Sequence, residues 1–296
     1  MPLLKNHLLQ IEIKSIGAEL KAITSVKNNN EFMWQADPKI WGSHAPNLFP
    51  VIGSMKDDSY IYNDKTYKMT KHGFVRHNDK LIIKSHSDSE ITFILTSNDQ
   101  LYEMYPFLFQ FEISYQLKDN IITVNHSVEN IDSKTLFFSL GGHPAFACPL
   151  FKDEDYTDYY LEFEKQENSK SYLLNMENGL VTGKTKSVIV EGNKIQLHED
   201  LFNEDALIFK DLKSRQVTLK HRDKGLVLSV RFEDFPYLGI WAKPSANYIC
   251  IEPWLGIADI ETTNQQIENK EGIISLASGS VFNASYSIEI DKRHLV

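Results

Sequence analysis

Cysteine is scarce. The 296 residues hold two, Cys148 and Cys250, with no C-x-x-C pair. A disulfide framework is therefore excluded as the organising principle, and both side chains read as reduced thiols of a cytoplasmic protein. Long apolar runs are absent too. Nothing approaches the ~20 residues of a membrane span. The opening residues Met1–His7 lack the apolar segment of a secretory leader, so a cytoplasmic location is the expectation. Positive charge is in deficit: 31 Lys and Arg face 40 Asp and Glu, for a net charge of −9. With no basic cluster beyond short pairs, nucleic acid and anionic membrane surfaces are excluded as partners. Glycine-rich phosphate loops are missing, both the Walker type and G-x-G-x-x-G after a strand. So is the G-x-S-x-G nucleophile elbow. His72 and His77 are five residues apart, which fits neither a helical nor a strand metal site. No metal and no cofactor is expected, and any chemistry must rest on organic side chains.

What is present is alternation of period two. Leu81–Ile83 and Ile91–Leu95 flank the polar turn Ser87–Glu90, and Phe109–Tyr115 and Ile121–Val128 flank Lys118–Asn120; both pairs read as hairpins. Tyr159–Phe163 and Tyr172–Leu174 bracket another polar turn. Further short strands follow at close spacing to Tyr286–Ile290. Asp99–Tyr105 is the expected short helix, stopped near Pro106. Many short strands with little helical periodicity predict an all-β fold, a large antiparallel β-sandwich with few short helices. With no linker or repeat, residues 1–296 are expected to form a single domain.

Two stretches stand out for chemistry. In Gly141-Gly142-His143-Pro144 the histidine precedes proline, which disfavours helix at that position and holds the residue extended. In Cys250-Ile251-Glu252-Pro253-Trp254 a carboxylate stands before proline at the end of an apolar run. Together His143 and Glu252 make a candidate acid–base pair. Alternation puts Glu252 and Trp254 on one face if Pro253 does not break it. An indole there could desolvate the carboxylate, offer a flat face to a sugar ring, or simply pack in the core. His72 reads as a loop histidine, Arg76 as a salt-bridge partner and Asp205 as a turn residue before a strand, unless they reach the pocket of His143. Trp34, Trp41 and Trp241 read as core.

With these residues in hand, the chain resembles the aldose 1-epimerase (galactose mutarotase-like) family. The resemblance runs in order through Gly17–Leu20, Ala45–Gly53, His72–Phe74, Tyr105–Phe107, Gly142–Phe146, Asp205–Phe209 and Glu252–Trp254. It implies a sandwich of the galactose mutarotase type with an open sugar cleft on one sheet. It implies His143 as general acid, Glu252 as general base, and His72 and Asp205 as sugar-binding residues, with Arg76 and Trp254 as further candidates. Family members carry an arginine in the segment matching Ala45–Pro50 and this chain has none; His44 and Arg76 are the candidates to replace it. The implied reaction interconverts the α and β anomers of a hexose through ring opening, without redox change. A hexose-phosphate 1-epimerase, relying on Lys71 and Arg76, and a non-catalytic sugar-binding protein are the competing readings. The expected partner is a small-molecule sugar, and the chain a monomer or homodimer. A histidine titrating near neutrality and an ionised glutamate are expected to give a bell-shaped pH–rate profile.

Overall fold

The computed structural model describes all 296 residues, Met1–Val296. Two antiparallel sheets dominate, one of nine strands and one of eight, with three small sheets at the periphery. The only α-helix is Asp99–Met104, where the Asn98 side chain accepts a hydrogen bond from the Leu101 N–H as its N-cap. No helix is long and apolar enough to cross a membrane. The all-β sandwich with few short helices read from the alternation is thus the observed architecture.

The long sheet is built on the strands Glu90–Thr96, Phe109–Lys118, Ile121–Asn130 and Val281–Ile290, all antiparallel neighbours. Both expected hairpins form, Ile82–His86 with Glu90–Thr96 and Phe109–Lys118 with Ile121–Asn130. Strand Ile121–Asn130 shows why the pattern was readable: every second residue is buried along its whole length. The inward side chains join a buried apolar cluster of 71 residues, which draws on the chain from Leu4 to Leu295.

The short segments are less local than the sequence implies. Tyr159–Phe163 lies in the long sheet, paired with Gln216–His221, whereas Ser171–Leu174 crosses to the eight-stranded sheet and pairs with Val181–Lys186. The polar stretch between them connects the two layers and is not a hairpin turn.

In the eight-stranded sheet, Tyr248–Leu255 is a central strand flanked by Tyr237–Trp241 on one side, and by Leu140–Gly142 and Ala145–Ala147 on the other. Alternation divides its neighbours cleanly. Leu207, Phe209, Leu238, Ile240 and Ile251 enter the main core, while Ile208 and Trp254 belong to a separate apolar cluster of eight residues. One face of this sheet closes the sandwich and the other carries that small cluster and a cleft.

His126 is an exception in the core. It is an inward position of Ile121–Asn130, is 1% exposed, and neither ring nitrogen has a hydrogen-bond partner. Burial pushes its pKa down to about 4, with the Ala284 backbone pulling weakly the other way. The unfolded chain binds this proton near the ordinary 6.5 and the folded chain does not. The site therefore leaves stability untouched above pH 6.5 and removes it progressively as pH falls to about 4. The full loss is roughly 3 kcal/mol. Thermal denaturation of the wild type at pH 7 and pH 4.5 is expected to show a fall in Tm that His126→Leu reduces. A substitution with no effect on that difference would place the acid lability elsewhere.

Candidate active site

Register explains how two distant stretches meet. Gly141 pairs with Trp254 and Ala145 pairs with Cys250, so the intervening Gly142, His143 and Pro144 run alongside Ile251, Glu252 and Pro253. The excursion is pinned at both ends: the His143 N–H donates to the Pro46 carbonyl (3.1 Å) and the Ile251 N–H donates to the Pro144 carbonyl (3.2 Å). His143 Nε2 then lies 3.1 Å from Glu252 Oε2. The contact is close but out of line for a hydrogen bond, and both Glu252 Oε2 and His143 Nδ1 are buried without partners. Buried polar atoms left unsatisfied in this way are uncommon.

Around this pair opens a cleft of about 410 Å³. The structure brings all six sequence-selected residues to its wall: His72, Arg76, His143, Asp205, Glu252 and Trp254. Pro253 does not break the strand Tyr248–Leu255, and Glu252 and Trp254 share the cleft face.

His72 is buried, not solvated. Its backbone is left-handed (φ 67°), an uncommon conformation for a non-glycine residue. Two hydrogen bonds to Gly53 hold it there. The His72 N–H donates to the Gly53 carbonyl (3.0 Å), and the Gly53 N–H donates to His72 Nδ1 (3.1 Å). With Nδ1 an acceptor, the neutral ring carries its proton on Nε2. Burial, reinforced by His143, Lys71 and Arg76, holds the His72 pKa well below 6.5. The ring is thus a fixed neutral donor, and it meets His143 edge-on at 5.6 Å between centroids.

Arg76 sits on the 3-10 turn Val75–His77. Its Nε is buried without a partner. Of the two candidates for the missing arginine, it is the one that lines the cleft; the His44 Nδ1 is instead 4.0 Å from Glu19. Asp205, also left-handed at φ 66°, accepts the N–H of Ala206 on Oδ1 (2.7 Å), so it serves the turn and faces the cleft at once.

Two cleft residues were not legible as such. Trp34, Trp41 and Trp241 all pack against the main core, as read, but Trp41 and Trp241 also line the cleft and stay half-buried. Trp41 lies over His143 at 5.0 Å and Trp241 meets it edge-on at 5.9 Å. A usable signal existed for Trp41, which stands beside Gly42 in a connector with no alternation and so has no strand to carry it inward. Lys71, adjacent to His72 and named with Arg76 for the phosphate reading, lines the cleft too.

The electrostatics correct a second expectation. Burial pushes the His143 pKa down to about 3, with Arg76 adding to the effect, so this is not a histidine titrating near neutrality. Burial raises the Glu252 pKa well above 4.5; Asp205 adds to this, while Lys71, Trp254 and Arg76 draw it back. In the empty cleft, burial therefore favours a neutral imidazole and a protonated carboxyl over an imidazolium and a carboxylate.

Both cysteines are buried and unbridged. Cys250 lies beneath the pair, and its thiol sulfur, a His143 nitrogen and a Glu252 oxygen are all within 4.8 Å of one another.

Comparison with known proteins places this geometry. The family model for aldose 1-epimerase matches residues 3–284. Protein LacX of Lactococcus lactis subsp. lactis is 33% identical over 295 residues, covering 97% of this chain and 98% of that protein. A galactose mutarotase related enzyme from Lactobacillus acidophilus superposes with a TM-score of 0.93 at 35% identity, covering 98% of this chain and 97% of that one. A galactose mutarotase-like protein from Lactobacillus casei gives a TM-score of 0.91 at 30% identity, covering 98% and 100%.

Proposed function

Since this chain belongs to the aldose 1-epimerase family and has a galactose mutarotase-like fold, we propose that it interconverts the α and β anomers of an aldose, with His143 as general acid and Glu252 as general base. The observation that carries the reading is the pair itself: two unpartnered titratable groups 3.1 Å apart on the wall of a cleft.

These roles start from the proton arrangement that burial disfavours, so a proton must pass from Glu252 to His143 before the ring opens. With a cyclic sugar in place, an ionised Glu252 takes the proton of the anomeric hydroxyl and a protonated His143 delivers one to the ring oxygen. The C1–O5 bond breaks and C1 becomes an aldehyde. At that moment Glu252 is protonated and His143 neutral, the arrangement that burial of the cleft favours. Desolvation favours this opened state over the ion pair, but forming the ion pair from the resting arrangement costs as much, so the gain is not net. Rotation about C1–C2 and closure on the other face return both protons. Protons and electrons balance within the pair and the sugar, so the scheme calls for no redox partner. His72 Nε2–H is a donor for a sugar oxygen, and Asp205 and Arg76 are candidates for further hydroxyls. Trp254 supplies a flat apolar surface.

Lys71 and Arg76 on the same wall support a second reading, a phosphorylated hexose. Polarimetry on freshly dissolved α-galactose and α-glucose, and proton NMR exchange on hexose 6-phosphates, separates the two. Acceleration of the free sugars is the expected result. Acceleration of the phosphates alone transfers the assignment to them. Binding of a sugar without any acceleration leaves a non-catalytic carbohydrate-binding protein.

A further inference from the structure

The cleft has two chemically different ends. Its charged and imidazole side chains gather around the acid–base pair: Lys71, Arg76 and Asp205 all act on Glu252, and Lys71, Arg76 and His143 all act on His72. Across the sheet the chemistry changes. Glu252 stands directly opposite Gly239, and Gly239 directly opposite Ile208, in one row over three strands. Strands are spaced ~4.8 Å apart, so Ile208 lies roughly 10 Å from Glu252 along the row.

Between them Gly239 leaves a gap that the Trp254 indole occupies. A Cβ at Gly239 would come within 2.6 Å of its six-membered ring. Beyond the indole come Ile208, Ala206 and Leu174, all on the cleft wall. Ile208, Ala206 and Trp254 are members of the eight-residue apolar cluster that is separate from the main core, with Leu174 packed against it. Met176, 63% exposed, lines the same cleft.

Resting on the reading of the cleft as an aldose site, we propose that this far end is an apolar subsite, and that the preferred substrate is an aldose with no polar group at its distal carbon, a 6-deoxyhexose. The anomeric carbon is fixed at His143 and Glu252. The pyranose ring then covers the indole, and the carbon-6 substituent is directed at Ile208 and its apolar neighbours. A methyl group there leaves water for an apolar surface. A hydroxyl would lose its water and meet no donor or acceptor from those side chains.

The test compares matched pairs, 6-deoxygalactose with galactose and 6-deoxyglucose with glucose, by NMR exchange for turnover and by intrinsic tryptophan fluorescence for affinity. The expected kcat/KM preference for the 6-deoxy member is about ten- to a hundred-fold, the range that small changes of substituent reach in an apolar pocket. Ile208→Asn should shrink that ratio by raising the parent hexose and lowering the 6-deoxy sugar, with the circular dichroism spectrum unchanged. Equal or better use of the parent hexose by the wild type overturns the subsite alone, because turnover of both sugars keeps the epimerase reading. An unchanged ratio in Ile208→Asn overturns it likewise. Absence of turnover on all four sugars overturns the epimerase reading; tighter binding of the 6-deoxy sugars in that case still supports the subsite, and equal binding removes both.

Discussion

Glu252→Gln is expected to reduce anomer interconversion by about 10²–10⁴-fold, the usual contribution of one positioned acid–base group. The fold should be unaffected, and the reason is specific to this cleft. Burial favours the protonated form of Glu252, a neutral carboxyl that a neutral amide of nearly the same shape replaces. His143→Asn is expected to cost a similar factor, again exchanging one neutral side chain for another. The two groups serve one proton relay, so the double variant should lose far less than the product of the single losses. Rates come from NMR saturation transfer and stability from thermal denaturation. Wild-type turnover in Glu252→Gln would end the mechanism. A large loss of Tm in either variant would mean that the rate measures damage to the fold.

On the proposed mechanism the same pair sets the pH profile. Opening the ring needs one proton shared between Glu252 and His143, whichever of the two holds it at rest. Activity is lost on the acid side when the pair gains a second proton, and that limb is moved down by a His143 pKa of about 3. On the alkaline side it is lost when the pair gives up its only proton, and burial moves that limb above the ordinary carboxylate range. The expected profile is a plateau wider than the separation of an ordinary glutamate and histidine, its acid limb near 3. The narrow bell anticipated for a histidine near its ordinary pKa of 6.5 is replaced because both groups are desolvated.

Legibility followed the range of the interactions involved. Strands such as Ile121–Asn130 declare themselves because one face meets the core, and that writes burial into every second residue. The hairpins were readable because each partner lies a few residues away. Ser171–Leu174 was misjudged because its partners, Val181–Lys186 and Leu207–Phe209, are set by the choice between two layers, which no local pattern records. His143 and Glu252 were visible through their prolines, but their 3.1 Å approach depends on the register of three strands. Trp41 and Trp241 were assigned inward on apolar character alone. A tryptophan is equally stable in a half-exposed wall that keeps one ring face for a ligand. The pKa of His143 was out of reach for a related reason: it is governed by burial, a property of the assembled cleft and of no single residue.

Lys270→Met is expected to lower stability by about 3–5 kcal/mol, the cost of leaving one charge of a buried pair uncompensated. Lys270 Nζ lies 2.7 Å from Asp259 Oδ1, and each side chain is 2% exposed. Burial lowers the Lys270 pKa while Asp259 draws it back up, as expected for an ammonium kept charged by its partner. Asp259 is not replaceable in isolation either. Its Oδ2 accepts the Lys56 N–H (3.0 Å) and its own N–H donates to the Ser54 carbonyl (2.9 Å). These bonds press the segment after the Glu252 strand against residues 53–56, so closely that a Cβ on Gly53, itself at φ +68°, would come within 2.5 Å of the Ala258 side chain. Gly53 is the residue that fixes His72 through two hydrogen bonds. Breaking the pair should therefore also loosen the His72 ring, which is read as a rise in KM for the sugar beyond any loss of folded protein. Lys270→Met with Asp259→Leu removes both charges and should recover part of the stability, though not the Lys56 hydrogen bond. Denaturant unfolding of the three variants, with KM measured at a temperature where each is folded, checks both parts. If Lys270→Met unfolds at the wild-type midpoint, the pair is not holding this loop. If its stability falls while KM stays constant, the pair supports the fold without positioning His72.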